Sequence, residues 1–262
     1  MKLLFIGDIV GRPGREVLEN NLTLLEQEYE IDFTIVNGEN ATGGFGMDHK
    51  AYQMISAAGA DAFTMGNHTF DNKKIFDFID KAENIIRPMN MTVPTPGVGI
   101  RHFTLKNGER LAIVNLLGRV YSKMLLDCPF KTMDQVLNDF SLADTAIFVD
   151  FHADATSEKV CFGHRFDGRI SAVCGTHTHI QPADEKILPR GTAYITDAGM
   201  TGAYDSCLGM SKEASISRFT QLRRGQMRPA PGERQINGVV IELDASYKAT
   251  AIQRIHRVYP EF

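Results

Sequence analysis

KLLFIGDI, residues 2–9, opens the chain with an unbroken apolar run, Leu3 to Ile6, that ends beside Asp8. So short a run reads as a buried strand. The segment after it, GREVLENNLTLLEQEY (14–29), places Val17, Leu18, Leu22 and Leu25 at helical spacing. The order then repeats. DFTIVNGEN (32–40) reads as a strand, and the glycine-rich ATGGFGMD (41–48) leads to a helix near HKAYQMISAAGA (49–60) with Asp48 as its N-cap. AFTMGN (62–67) is a third strand, followed by a predicted helix, NKKIFDFIDKAE (72–83). Strand, loop and helix in this order predict β-α-β crossovers with helices on the sheet faces.

The middle of the chain changes character. IRHFTLKNGERLAIVNLLG (100–118) holds two β-like runs around Asn107-Gly108, a strong hairpin signal. A helix at KTMDQVLNDF (131–140), a strand at TAIFVDFHAD (145–154), a helix near SEKVCFGHRF (157–166) and strands at RISAVCGTHTHI (169–180) and TAYITDAG (192–199) follow. INGVVIELDASYKATAIQRIHRV (236–258) predicts an antiparallel pair, and RRGQMRPAPGERQ (223–235) a surface loop. The expectation is an α/β fold of mixed sheets flanked by helices, with residues 1–262 as one domain.

The polar residues fall where these apolar runs stop. Asp8 ends the first, Glu39 and Asn40 follow the second, and Asn67 and His68 follow the third. His152 ends 145–154, and His177 and His179 end 169–180. In an extended segment residues two apart share a face, so His177 and His179 are expected side by side. In open α/β sheets the loops at one end of the strands line the ligand crevice, so all eight residues can converge. Carboxylate, amide and imidazole donors without thiolate suit Mn, Fe(II) or Zn in an open catalytic site. Their number exceeds what one ion needs. Two ions roughly 3.5–4 Å apart and bridged by a carboxylate would grip both oxygens of an in-line displacement at phosphorus.

Composition bounds the rest. The 262 residues are 43% hydrophobic, enough for a substantial core, and the net charge of −4 gives no bulk basic surface for duplex nucleic acid. No apolar run approaches a membrane span, and the first residues do not resemble a signal peptide, so a cytoplasmic protein with no membrane partner is expected. The four cysteines lack C-x-x-C pairing and are expected to be free thiols. GRPGR (11–15) lacks the Lys-Ser/Thr step of a P-loop and reads as a turn.

With those motifs in place, the chain resembles the calcineurin-like metallophosphoesterase superfamily: an early GD, a second acidic motif, GNH, a lone His and a GTHTH block. Val10 stands where the superfamily's first motif has its His, and NGEN (37–40) replaces Gly-Asp-x-x-Asp-Arg. Those departures, with FIGDIVGRPGR, NGENATGGFG, GNHTFD and DAGMTGAYDSCLGM, are similar to the YmdB-type bacterial branch, whose members are 2′,3′-cyclic-nucleotide phosphodiesterases. The resemblance implies a four-layer α-β-β-α sandwich. It implies two metal ions per chain, Fe or Mn with Zn as the alternative, and a small cyclic nucleotide as substrate. One ion would take Asp8, Glu39, Asn40 and His179, the other Glu39, Asn67, His152 and His177. Metal-bridging hydroxide would attack phosphorus, with His68 as proton donor. Arg12, Thr42 and the GMTGAYDS loop are candidate phosphate anchors. A metal-bearing regulatory nucleotide- or RNA-binding protein, a phosphomonoesterase and a homo-oligomer stay open. An amidohydrolase barrel is disfavoured by the late His-x-His and the central hairpin.

Overall fold

The computed structural model describes residues 1–92, 95–139, 144–222 and 226–261. In chain order the first half comprises β1 (Lys2–Ile6), β2 (Asp8–Ile9), α1 (Gly11–Tyr29), β3 (Phe33–Asn37), α2 (His49–Ala58), β4 (Ala62–Thr64), β5 (Ile85–Ile86), β6 (Ile100–Thr104), β7 (Arg110–Leu117) and α3 (Pro129–Asp139). The second half comprises β8 (Ala146–His152), α4 (Thr156–Phe166), β9 (Ala172–Thr176), β10 (Lys186–Ile187), β11 (Ala193–Ile195), β12 (Met200–Ala203), α5 (Lys212–Thr220), β13 (Arg234–Leu243) and β14 (Ala249–Tyr259). Phe140 of the predicted third helix and residues 223–225 of the predicted surface loop lie outside the described residues.

Two mixed sheets form. The first runs β2-β12-β13-β1-β3-β4-β5, with β14 also paired to β13; the second runs β10-β11-β9-β8-β7-β6. Strands β1, β3, β4 and β5 are parallel, as are β7, β8, β9 and β11. The C-terminal pair is antiparallel as expected, and so is the β6–β7 hairpin. Its Asn107-Gly108 belongs to a longer turn in which only Gly108 is left-handed and Leu105 N–H donates to Glu109 O at 2.8 Å. That is a type I turn closed by a bulge rather than a two-residue loop.

Alternation along each strand explains the unbroken apolar runs. Leu4 and Ile6 of β1 pack with Val17, Leu18 and Leu22 of α1 and Ile55 of α2, while Leu3 and Phe5 face the opposite way. Those two meet Ile113, Phe148 and Ile195 of the second sheet, Phe5 and Phe148 with ring centroids 4.9 Å apart. Val114, Val149 and Phe151 in turn face Met133 of α3 and Phe162 and Phe166 of α4. A strand covered on both faces reads as continuous hydrophobicity. Three apolar layers therefore separate four layers of structure, giving the α-β-β-α sandwich.

Two predicted elements differ. The run 2–9 is two strands, because at Gly7 the chain leaves β13 and β1's neighbours to pair with β12; a Cβ at Gly7 would strike the Gly199 carbonyl. Residues 72–83 keep the apolar spacing, with Ile75, Phe78, Ile79 and Ala82 buried, but form only a 3-10 turn at Lys73–Asp77. Asn72 caps that turn, and it ends where Phe78 adopts φ −142°; its ring stacks on Tyr52. No helix among the described residues is long and apolar enough to cross a membrane.

Candidate metal centre

The break at Gly7 sets Asp8 apart from β1. Its carboxylate is fully buried, Oδ2 accepts the His177 N–H at 3.1 Å, and Oδ1 has no hydrogen-bond partner among the described residues. A buried carboxylate oxygen left bare is costly, and the usual resolution is a cation.

Glu39 and Asn40 follow β3, and Asn67 and His68 follow β4, so the first sheet supplies five of the eight predicted residues. The second sheet supplies His152 at the end of β8, and His177 and His179 after β9. His152 is the hub. Its Nε2 lies 2.9 Å from Asn67 Oδ1, 3.0 Å from His177 Nδ1 and 3.2 Å from Glu39 Oε1. One N–H cannot serve three acceptors. Ligand atoms of Glu39, His152 and His177 all lie within 4.8 Å of one another, the spacing of groups that share a cation. Beside this cluster, His179 Nε2 lies 3.3 Å from Asn40 Oδ1.

The backbone is shaped to this purpose. A Cβ at Gly66, the glycine of GNH, would collide with Glu39 Oε2 and the His152 ring, so the two side chains pass over a bare Cα. His177 and His179 do not alternate along a strand as expected. β9 stops at Thr176, and both histidines take left-handed backbone, φ 103° and 65°. The strand pleat is replaced by a strained turn that sends one imidazole to His152 and the other to Asn40. Such conformations cost about 1–3 kcal/mol each and persist only where neighbours impose them.

The neighbours are identifiable, and the sequence alone did not single them out. Lys159 of α4, 1% exposed, donates from Nζ to Thr176 O at 2.7 Å and to Asp197 Oδ2 at 2.9 Å. The same Asp197 oxygen accepts from Thr178 N–H at 2.9 Å and Thr178 O–H at 2.8 Å. His177 is thus pinned on both sides. Behind His152, Thr176 Oγ1 donates to Asp150 at 2.7 Å and meets His152 Nδ1 at 2.8 Å, which leaves Nε2 for the cluster. Backing of this type fixes a ligand ring's orientation and tautomer. His68 has a comparable partner three residues on, Asp71, with Oδ2 2.7 Å from its Nδ1, and its ring meets the edge of Phe45. The i, i+3 spacing in GNHTFD is the only sequence signal for that pair.

Electrostatics follow from burial and crowding. Burial raises the Asp8 carboxyl well above the usual range, the cationic His152 only partly opposing it. Burial would raise Glu39 too, but the charge and hydrogen bond of His152 hold it at about 2. Burial would lower His152, but Glu39, then Asp8 and Asp150, lift it to about 9. Burial and the neighbouring His152 push His177 down to about 4, and burial lowers His179. Glu39, held charged beside the neutral imidazoles of His177 and His179, offers the kind of donors that divalent cations take.

Above the cluster is an open cleft of about 320 Å³, floored by Asn67, His68, His152 and His177. Of the candidate anchors, Arg12 pairs with Glu16 and lines a separate cleft with Thr42 and Arg228. Thr201 is buried against Asn237, and Ser206 Oγ donates to Ala203 O. The four cysteines are free.

Known proteins resemble this chain over nearly its whole length. The chain is 49% identical over 256 residues to a Bacillus subtilis (strain 168) protein named 2′,3′-cyclic-nucleotide 2′-phosphodiesterase, covering 97% of this chain and 96% of the relative. A crystal structure of a phosphatase from Mycoplasma pneumoniae superposes with TM-score 0.93 at 35% identity, covering 100% of this chain and 94% of that one. A hypothetical protein from Thermus thermophilus gives TM-score 0.92 at 36% identity with 100% of both chains covered. A 5′-nucleotidase precursor from the same organism shares the fold at 12% identity and TM-score 0.59, this chain matching 54% of its length. The YmdB-like protein family profile matches residues 4–255, and the chain belongs to that family.

Proposed function

We propose that this chain is a dinuclear metal-dependent phosphodiesterase acting on small cyclic nucleotides, 2′,3′-cyclic ones in the first place. The observation that carries the metal reading is the crowding of three acceptors on His152 Nε2 beside the bare Asp8 Oδ1. The substrate class is supported by the name of the Bacillus subtilis relative.

Asp8, Glu39, Asn40 and His179 would hold one cation, and Glu39, Asn67, His152 and His177 the other, with Glu39 shared. The close pairs Asn40–His179 and Asn67–His152–His177 divide along that line. Oxygen and imidazole donors favour Fe or Mn, with Zn as the alternative. Bound cations supply Lewis acidity toward the phosphoryl oxygens and bring the pKa of water near neutral. His68, held by Asp71 at Nδ1, keeps Nε2 free to protonate the leaving ribose oxygen.

The test is metal analysis of anaerobically purified protein coupled to a turnover screen of cyclic nucleotides, simple monoesters and bis-aryl phosphodiesters. Two Fe or Mn per chain and preference for cyclic diesters are expected. His68→Ala should keep both metals while kcat falls about 10²–10⁴-fold, the usual weight of general-acid help. Monoester preference would make the protein a phosphatase, and tight nucleotide binding without turnover a regulatory binder.

A further inference from the structure

We propose that the loop from Gly118 to Met124 is the nucleobase wall of the substrate cleft, with the Tyr121 ring as its stacking surface. The proposal rests on the phosphodiesterase reading above and names what that reading leaves open, the residues that recognise the nucleoside.

Asn67, His68, His152 and His177 of the candidate metal centre line the cleft, and Val120, Tyr121, Lys123 and Met124 of the loop line the same cleft. The loop is joined to the floor: Gly118 N–H donates to the carbonyl of His152 itself at 2.9 Å. Both of its ends are clamped by buried Asn90. Leu117 N–H donates to Asn90 Oδ1 at 2.8 Å, and Asn90 Nδ2 donates to Leu117 O at 2.8 Å and Asp127 O at 3.0 Å. The Arg119 and Val120 N–H groups donate to the Glu158 carboxylate at 3.0 and 3.3 Å. A short loop with joined, bolted ends is an Ω-loop, a form often used for binding.

What the loop presents does not serve its own folding. Tyr121 is 80% exposed and sits at φ 64°, a backbone region aromatic residues rarely enter. Val120 at 40% and Met124 at 38% are also exposed, and all three line the cleft. A phosphate ester without a base would need only the floor. A nucleotide carries a flat π-face a few ångströms from its phosphate, and stacking on an exposed aromatic ring accepts any base. The cleft volume of about 320 Å³ lies at the small end of the range for small-molecule pockets, the size for one nucleotide.

The chain contains no tryptophan, so Tyr121→Trp installs a single indole reporter at the wall. The metal-loaded variant is titrated with adenosine 3′-phosphate and with base-free ribose 3-phosphate, and its emission is followed. In parallel, KM is measured for adenosine 2′,3′-cyclic phosphate and for base-free ribose 2,3-cyclic phosphate in wild type, Tyr121→Ala and Leu125→Ala. Leu125 is exposed on the same stretch but does not line the cleft. Saturable quenching by the nucleotide alone is expected. So is a roughly ten-fold loss, in Tyr121→Ala only, of the KM advantage of nucleotide over base-free substrate. Emission that ignores the nucleotide, or responds equally to both ligands, in protein that still turns over the cyclic nucleotide overturns the wall and leaves the phosphodiesterase reading intact. Nucleotide-specific quenching in protein that cleaves no phosphate ester would do the reverse.

Discussion

Glu39 shows how much one side chain is asked to do. It is buried, touches His152 through Oε1 at 3.2 Å and accepts the His68 N–H through Oε2 at 2.9 Å. In the proposed arrangement it is shared between both cations, and a neutral isostere would lose charge at each. Glu39→Gln should therefore fail to retain metal and lose nearly all turnover; purified variant with two metals per chain and wild-type rate would refute the assignment. His152 sets the pH dependence. Its ring, lifted to about 9 by Glu39 and Asp8 against the effect of burial, is protonated in the metal-free protein below that value, and coordination needs it neutral. Metal affinity should thus rise with pH up to about 9 and then level, with proton release on binding measurable by calorimetry in buffers of different ionisation enthalpy. The same sign governs folding: raised above its ordinary 6.5, this group stabilises the metal-free protein below that pH, and the contribution fades as pH climbs through about 9. The identity of these residues was legible in the sequence because each stands where an apolar run stops. The left-handed turn at His177 and His179 was not, since φ is imposed by Lys159 and Asp197 from distant elements. Asp71 was missed because it touches a site residue rather than ends a strand, and Thr176, the last residue of β9, because a threonine in a strand reads as ordinary strand chemistry.

The elements position the site through their breaks as much as through their regularity. One apolar run, 2–9, reads as one strand because hydrophobicity reports burial and says nothing of partner; the exchange at Gly7 depends on Gly199, some 190 residues on. The 72–83 segment shows the same limit, since its apolar spacing held while its hydrogen bonds tightened to a 3-10 turn. Helix α4 makes the sharpest prediction at this scale. Lys159 is buried against Asp197, and removing one partner strands the other charge. Lys159→Met should destabilise by about 3–5 kcal/mol, roughly 10 °C in Tm for a chain of this size. Lys159→Met with Asp197→Asn should recover most of that stability, because no buried charge is left alone. It should not recover metal affinity. One amide oxygen cannot replace a carboxylate that accepts from Thr178 N–H and O–H on one side and Gly199 N–H on the other. A 10–100-fold weaker metal affinity in the double variant, the usual effect of losing a group that orients a ligand, would separate positioning from stability. Equal recovery of both would reduce the pair to a structural role.

In the whole molecule the centre straddles a seam. Asp8, Glu39, Asn40, Asn67 and His68 ride on one sheet, and His152, His177 and His179 on the other, so the spacing of the two sheets sets the spacing of the candidate site residues. That spacing is set by the middle apolar layer, where Phe5 and Phe148 meet at 4.9 Å between centroids. The outer layer under α1, including fully buried Leu22, carries no such constraint. Phe148→Ala and Leu22→Ala should both be costly, about 3–5 and 2–5 kcal/mol by removal of a buried large side chain. Their effects on the centre should differ. Phe148→Ala lets the sheets approach or tilt, moving His152, four residues further along β8, against Glu39; metal affinity should fall although no ligand is touched. Leu22→Ala should lower the denaturation midpoint by a similar amount with metal affinity unchanged. Denaturant titration and Mn titration of the two variants decide the matter, and equal metal affinity in both would mean that the ligand turns, rather than the packing between the sheets, hold the centre together.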